Sequence, residues 1–255
     1  KIRKQCFMNI RTIINKTFQH AYRKDLSSDV ASRVNYKRFE SMLIPSATIS
    51  QRMHSDNEIR KMLSYIHDLT DSGRPGFGRW AVEMQLLIGS RRGEIPPLRW
   101  SDVRGAVNIT REQITVRENG KQYEVIVNHT KTSTDRAFPI TKDVEEFLER
   151  LKKYHAARGI TSEYLFPGWK GGPISNSAMY NMYYTMCTNL GIKLCENERK
   201  GTHSFRRNHI TKTINSSNGN IMMAAKLYGN SVQTIQRNYF NEIDLEEAKR
   251  VLESW

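Results

Sequence analysis

The segment THSFRR at residues 202–207 places a histidine and an arginine three residues apart, directly before an apolar run typical of a helix. On a helix, His203 and Arg206 would share one face. Two cationic side chains on one face repel each other unless an anion lies between them. We therefore expect this helix start to bind an anion, and other parts of the sequence must indicate which one.

Three other positions carry side chains that suit phosphate chemistry. Arg91 follows a glycine in GSRRGE, Lys131 lies in a predicted turn in HTKTSTDR, and Tyr239 ends the segment QRNY. Each is ordinary when taken singly, because surface arginines, turn lysines and packed tyrosines are common. Their joint order and spacing are what favour a common site.

The charge balance indicates a polyanionic partner. Lysine and arginine together number 40 against 26 acidic residues, and the net charge is +14. This excess is larger than solubility requires, so we expect nucleic acid first and a membrane surface second. A membrane-spanning protein is not expected, because no apolar run approaches the roughly 20 residues that a bilayer requires.

Cysteine usage favours a reducing compartment. The chain has three cysteines, an odd number, and no CxxC pair, so we expect no disulfide framework. It begins KIRKQCFMNI, which lacks the apolar centre of a signal peptide. We expect a cytoplasmic protein, and a fragment of a longer chain.

Apolar periodicity divides the chain into helical segments around one strand-rich region. Residues 1–39 have helical spacing, 46–54 lose it and predict a linker, and 243–255 form an amphipathic tail. Between linker and tail, helices are predicted at 57–69, capped by Asp56, and at 79–92, 141–158, 175–190, 204–216, 220–228 and 231–239. Ser175 and Ser231 are predicted to cap helices, and Gly229 to close one.

Residues 106–140 change to a period of two. The runs QITVR, YEVIV and RAFPI predict three antiparallel strands. The Asn119–Gly120 pair predicts a tight hairpin turn between the first two. Lys131 should then lie at the lip of the second hairpin.

Four boxes resemble the tyrosine recombinases of the phage-integrase type. IGSRRGEIPPLRWSDV is similar to the family's arginine turn, with its glutamate three residues later, and aligns Arg91 and Glu94. TKTSTDRAFPI is similar to the lysine hairpin and aligns Lys131. HSFRR is similar to the box HxLRH and aligns His203 and Arg206.

The fourth box contains the clearest departure from the family. YGN, followed nine residues later by Tyr239, is similar to LGH and the nucleophilic tyrosine. Asn230 therefore stands where the family has histidine or tryptophan, and Arg207 where it has the second histidine of HxLRH. Asparagine can donate a hydrogen bond to phosphate but cannot carry a proton, so either a donor suffices here or the enzyme is slow.

The resemblance implies a mainly α fold with a small three-stranded antiparallel sheet. It implies the end of a helical core-binding domain at residues 1–45, a linker at 46–54, a catalytic domain at 55–242 and a C-terminal helix at 243–255. That last helix would pack against a neighbouring protomer or against its own domain. The implied setting is a prokaryotic cell, with double-stranded DNA as partner and a homo-oligomer, a tetramer in the synapse.

The resemblance also implies a reaction. Tyr239 attacks a DNA phosphodiester and forms a 3′-phosphotyrosyl link, while Arg91 and Arg206 hold the nonbridging oxygens. Lys131 protonates the leaving 5′-oxygen, and His203 binds an oxygen and helps to deprotonate the tyrosine. Glu94 either orients Arg91 or is an ordinary surface acid. No cofactor and no metal are expected, because no acidic and histidine residues have ligand spacing.

DNA contacts are expected from basic and polar positions in both parts of the chain. Arg207 either pairs with a second phosphate or faces solvent. The other candidates are Arg3, Lys4, Arg11, Lys24, Arg33, Lys37, Arg38, Lys170, Asn176, Tyr180 and Arg199.

Two other functions share some of these features. A type IB-like topoisomerase uses the same chemistry, but the short chain and the LRWSD box favour a recombinase of a mobile element. A catalytically silent, sequence-specific DNA-binding regulator is supported by Asn230 alone.

Overall fold

A computed structural model describes residues 2–44, 50–129, 135–194 and 200–239, together with 249, 252 and 253. Residues 50 and 237–239 are described by their backbone only. The chain divides into two compact units, Lys1–Thr48 and Ile49–Trp255. The described part is mostly helical with small antiparallel sheets, so the predicted fold class is confirmed.

The first unit is built on one helix, α1 (Lys4–Arg23). Strand β1 (Ile2–Arg3) pairs in parallel with β2 (Leu43–Ile44), and two 3₁₀ turns, Ala31–Arg33 and Tyr36–Met42, lie between. The prediction of helix throughout residues 1–39 is wrong beyond Arg23. The helix stops there because the chain turns through Asp25, which adopts the left-handed conformation at φ 55°.

The second unit is organised around a central helix that is buried on almost every side. This helix contacts four other helices and contributes Trp80 and Met84 to the core, beside Phe147 and Phe205. Every residue of this helix except Gly78 and Leu87 is buried, including the polar residues Arg79, Glu83 and Gln85. The helices are α2 (Asp56–Asp71), the central α3 (Gly78–Ile88), α4 (Lys142–Ala157), α5 (Asn176–Asn189), α6 (His203–Ser216), α7 (Ile221–Tyr228) and α8 (Val232–Tyr239).

Side-chain caps fix several of these helix starts. Ser175 and Ser231 cap α5 and α8 as predicted, each accepting a backbone N–H three residues on. The cap of α2 is Ser55 and not Asp56, because Ser55 and Glu58 form a reciprocal capping box. Residues 50–54, assigned to the linker from sequence, are part of the second unit, and His54 is buried there.

In the second unit, four strands, not three, are present among the described residues. The missed strand is β3 (Ala106–Ile109), which pairs antiparallel with β6 (Arg136–Pro139), while β4 (Glu112–Glu118) pairs with β5 (Lys121–Val127). The predicted third strand thus joins a separate two-stranded sheet. Asn119 and Gly120 both have positive φ and make the predicted hairpin turn. Lys131 lies outside the described residues.

Candidate active site

Arg91 is presented by the turn that ends α3. The helix stops at Ile88 and not at residue 92, because Gly89 adopts the left-handed conformation at φ 62°. His209 of α6 packs so closely on this turn that a β-carbon on Gly89 would lie 2.6 Å from its own. The turn therefore requires glycine, and the contact fixes Arg91 relative to α6.

Glu94 binds both the backbone and the side chain of Arg91. Its Oε2 accepts the Arg91 backbone N–H at 2.8 Å, and its Oε1 accepts Nη1 of the Arg91 side chain at 2.9 Å. The same Oε1 forms an ion pair with Arg136 of β6. Glu94 is 0% exposed, so the reading of this residue as an ordinary surface acid is wrong.

The charge state of Glu94 follows from these contacts. Burial alone would raise the pKa of its carboxyl group. Attraction to the Arg136 guanidinium, hydrogen bonds from Arg136 and the Arg91 backbone, and attraction to Arg91 outweigh this effect and lower the pKa below its ordinary value. Glu94 is therefore a carboxylate at neutral pH, surrounded by two guanidinium groups.

A second arginine reaches the same place from α6. Arg206 is 1% exposed, and its Nη2 donates to the Tyr228 carbonyl and, at 3.1 Å, to Oδ1 of Asn230. Nη2 of Arg91 donates to the Gly229 carbonyl at 3.0 Å and approaches the same Asn230 Oδ1 at 3.5 Å. The α7–α8 turn thus brings the two guanidinium groups onto one amide oxygen.

The structure therefore brings together four residues that the sequence placed in one site. Arg91, Glu94, Arg206 and Asn230 are in direct contact. Arg136, which also joins this group, is missing from the predicted set. Its signal was its position in the lysine box, between Lys131 and the dipeptide PI.

Of the remaining predicted catalytic residues, His203 is the one whose side chain the structure describes. His203 is the exposed first residue of α6, one turn before Arg206. Tyr239 is the last residue of α8, the helix that starts just after Asn230, and its side chain is outside the description, as is all of Lys131.

The predicted DNA contacts Asn176, Tyr180 and Lys170 differ in exposure. Asn176 is buried at the start of α5 and donates from Nδ2 to the Gln113 carbonyl at 2.8 Å, which removes it as a DNA contact. Tyr180 is half-buried, and Cζ of Arg92 lies 5.3 Å from the centroid of its ring. Lys170 is exposed beside Trp169, which is 94% exposed.

The other predicted DNA contacts are mostly surface residues. Nη1 of Arg207 donates to the Arg52 carbonyl at 3.5 Å, and Arg199 lies outside the described residues. In the first unit, Arg11 is half-buried and stacks on Tyr36 at 4.6 Å. The exposed candidates in that unit are Arg3, Lys4, Lys24, Arg33, Lys37 and Arg38.

The chemistry that this arrangement supports is oxyanion binding. Two guanidinium groups held on one oxygen can face a single phosphate, and each is a planar, permanently charged donor. Within the described ranges, no three His, Cys, Asp or Glu side chains come together as metal ligands. None of the described helices is long and apolar enough to cross a membrane.

Comparison with known proteins gives a family and a fold. The family model described as the phage integrase family matches residues 52–245. None of the curated proteins matches the chain.

Three solved structures share the fold at 16–18% identity. A Tn1549 transposon integrase in complex with transposon right end DNA is 16% identical, with a TM-score of 0.74, over 99% of this chain and 79% of that one. A lambda integrase tetramer bound to a Holliday junction is 17% identical, with a TM-score of 0.58, over 87% and 57% of the two chains. XerA recombinase is 18% identical, with a TM-score of 0.53, over 88% and 78%.

Proposed function

Because the chain belongs to the phage integrase family, we propose that it cuts and rejoins DNA at specific sites through a 3′-phosphotyrosyl intermediate. The observation that carries this proposal is the convergence of Arg91 and Arg206 on Asn230, with Glu94 behind Arg91. The family assigns the chain to the DNA recombinases. The covalent intermediate, the residue roles and the element that is moved are our proposal.

In the proposed cleavage step, Oη of Tyr239 attacks phosphorus and the bond from phosphorus to the 5′-oxygen breaks. The tyrosine proton passes to His203, and the leaving 5′-oxygen takes a proton from Lys131. The phosphate becomes a diester of the tyrosine and the 3′-oxygen. A 5′-hydroxyl from another duplex then attacks this link, releases the tyrosine and reseals the strand.

Arg91 and Arg206 would stabilise the charge that grows on the nonbridging oxygens during both steps. Removing one donor aimed at such developing charge typically costs about 100- to 1000-fold in rate. Since the guanidinium groups supply the positive charge and the covalent link conserves the bond energy, the reaction needs neither a metal ion nor ATP.

Asn230 has a role that its side-chain contacts suggest. Its Oδ1 accepts from Arg206 and lies 3.5 Å from Arg91 Nη2, so this amide orients both arginines. The amide nitrogen of the same side chain is then the group that can donate to a phosphate oxygen. This position would thus serve as a donor and a spacer, with no proton transfer.

The biological setting is proposed from a solved structure that shares the fold. The Tn1549 integrase that shares this fold is bound to transposon right end DNA, which favours a mobile element as the substrate of this chain. We further propose that residues 1–45 bind DNA as the end of a core-binding domain and that 55–242 are catalytic. Segment 243–255 would pack on a neighbouring copy in a tetramer.

A nicked suicide substrate tests the proposal. A DNA duplex with a nick beside the scissile phosphate loses its short 5′-hydroxyl fragment after cleavage and leaves protein covalently bound. We expect this product from the unmodified protein with or without EDTA, and none from Tyr239→Phe. Covalent product from the phenylalanine variant would refute the mechanism, and specific binding without any product would indicate a regulator.

A further inference from the structure

We infer that Arg136 is a positioning residue for strand cleavage, which sets Arg91 and the α7–α8 turn through two separate contacts. This inference rests on the proposed function, because strand cleavage is the property that it would affect. The described contacts of its guanidinium are with the Glu94 carboxylate and with Gly229, so it would act through these neighbours.

The first contact is with the carboxylate of Glu94. Oε1 of this buried residue receives both Nη1 of Arg91 and the guanidinium of Arg136. A carboxylate shared between two arginines cannot turn fully towards either. Without Arg136, Glu94 would bind Arg91 with both oxygens, and the charge of Arg91 would be neutralised by the carboxylate and no longer available to phosphate.

The second contact is with Gly229, which closes α7 at φ 57°. Arg136 lies flat against this residue, so that a β-carbon on Gly229 would stand 2.8 Å from Arg136 Cδ and 3.2 Å from its Cζ. The Gly229 carbonyl accepts Nη2 of Arg91, and the next residue, Asn230, binds Arg206. Arg136 therefore supports the turn on which both guanidinium groups depend.

The position of Arg136 in the chain also suits it to a positioning role. It begins β6, where Arg136 pairs with Ile109 of β3, and it follows Lys131 by five residues. One side chain thus connects the strand after the lysine hairpin, the arginine turn and the start of α8. The group of Arg91, Arg136 and Glu94 also keeps one net positive charge, which suits an incoming phosphate.

The test is a double-mutant cycle between Arg136 and Gly229. We would measure the first-order rate of covalent trapping at saturating nicked DNA for the unmodified protein, Arg136→Ala, Gly229→Ala and the double variant. Outer residues that orient a reacting group typically contribute about 10- to 100-fold, so we expect losses of this size from each single change. The double variant should lose much less than the product of the two single losses, because the clash with Arg136 is then absent and only the backbone strain of alanine at φ 57° remains.

Arg150 provides a matched control. Its guanidinium also pairs with a buried glutamate, Glu83, on the α3–α4 side of the unit. Arg150→Ala should reduce thermal stability but leave the trapping rate within about twofold, whereas Arg136→Lys should restore part of the lost rate. DNA affinity is measured separately by gel shift, and the trapping rate at saturating DNA does not depend on it.

Three outcomes would overturn the inference. They are an unchanged trapping rate in folded Arg136→Ala, losses that multiply in the double variant, and equal losses in Arg136→Ala and Arg150→Ala. If Arg136→Ala does not fold, Gly229→Ala is compared with Gly219→Ala, whose glycine also has positive φ but whose added β-carbon would meet nothing within 4 Å. Equal trapping rates in these two folded variants would then overturn the inference. Failure of the proposed function itself would look different, since even the unmodified protein would then give no trapped product.

Discussion

Replacing Glu94 by glutamine removes the charge of a fully buried carboxylate that pairs with two guanidinium groups. The volume is kept, and glutamine Oε1 can still accept one hydrogen bond. Its amide nitrogen, however, would face the Arg91 backbone N–H that Oε2 accepts at 2.8 Å. The guanidinium groups of Arg91 and Arg136 would lose the carboxylate that neutralises them.

The magnitude follows from the burial of these groups. Removing one partner of a buried ion pair typically costs about 3–5 kcal/mol. Because glutamine keeps one acceptor, we expect the lower end, about 3 kcal/mol of unfolding free energy. For a unit of this size, each kcal/mol lowers Tm by about 2–4 °C, so Tm should fall by about 6–12 °C.

The pH dependence has a defined sign. The folded pKa of Glu94 lies below its ordinary value of 4.5, so the carboxylate stabilises the fold fully above that value. This contribution disappears as the pH falls through the folded pKa. The difference between the unmodified protein and Glu94→Gln should therefore be largest at pH 7 and shrink in acid.

Thermal unfolding at several pH values measures both effects. The matched control is Glu163→Gln, which removes a glutamate whose side chain is 57% exposed and pairs with Arg99 at 3.2 Å. An exposed pair contributes at most about 1 kcal/mol. If Glu94→Gln loses no more stability than Glu163→Gln at pH 7, the argument from buried charge is refuted.

Three other predictions test separate parts of the molecule. Burial lowers the pKa of His54 to about 4. Between pH 7 and 4 this histidine gains a proton in the unfolded chain first, so the free energy of unfolding should fall by about 3 kcal/mol. Urea unfolding measures this loss, which should be absent in His54→Gln. Fluorescence of the exposed Trp169 should shift to the blue on binding DNA, and Trp169→Phe should lose this shift; an unchanged spectrum would place the loop away from DNA. Asn230→Ala should slow covalent trapping by about 10- to 100-fold without weakening DNA binding; an unchanged rate would exclude a positioning role.

Elements with local signals were predictable from the sequence. Ser175 and Ser231 predict helix starts, Gly229 predicts a helix end, and the Asn119–Gly120 pair predicts a hairpin turn. These features depend on residues within one turn of each other. Strand β3 was missed because it has only four residues, and its partner β6 lies far along the chain.

Contacts between distant residues were harder to predict. Family boxes placed Arg91, Glu94 and Arg206 in one site, but no local pattern indicates that Arg136 and Arg91 share the Glu94 carboxylate. The same limit explains Asn176, whose polar side chain suggested a DNA contact but binds the Gln113 carbonyl across the fold.

The most direct test identifies the protein side chain to which the DNA becomes covalently bound. After trapping on a nicked substrate, protease and nuclease digestion should yield a peptide whose mass includes a nucleotide remnant. We predict that the remnant is joined to Tyr239 through a 3′-phosphate and that the released strand has a free 5′-hydroxyl. A remnant on any other residue, or one joined through a 5′-phosphate, would contradict the account.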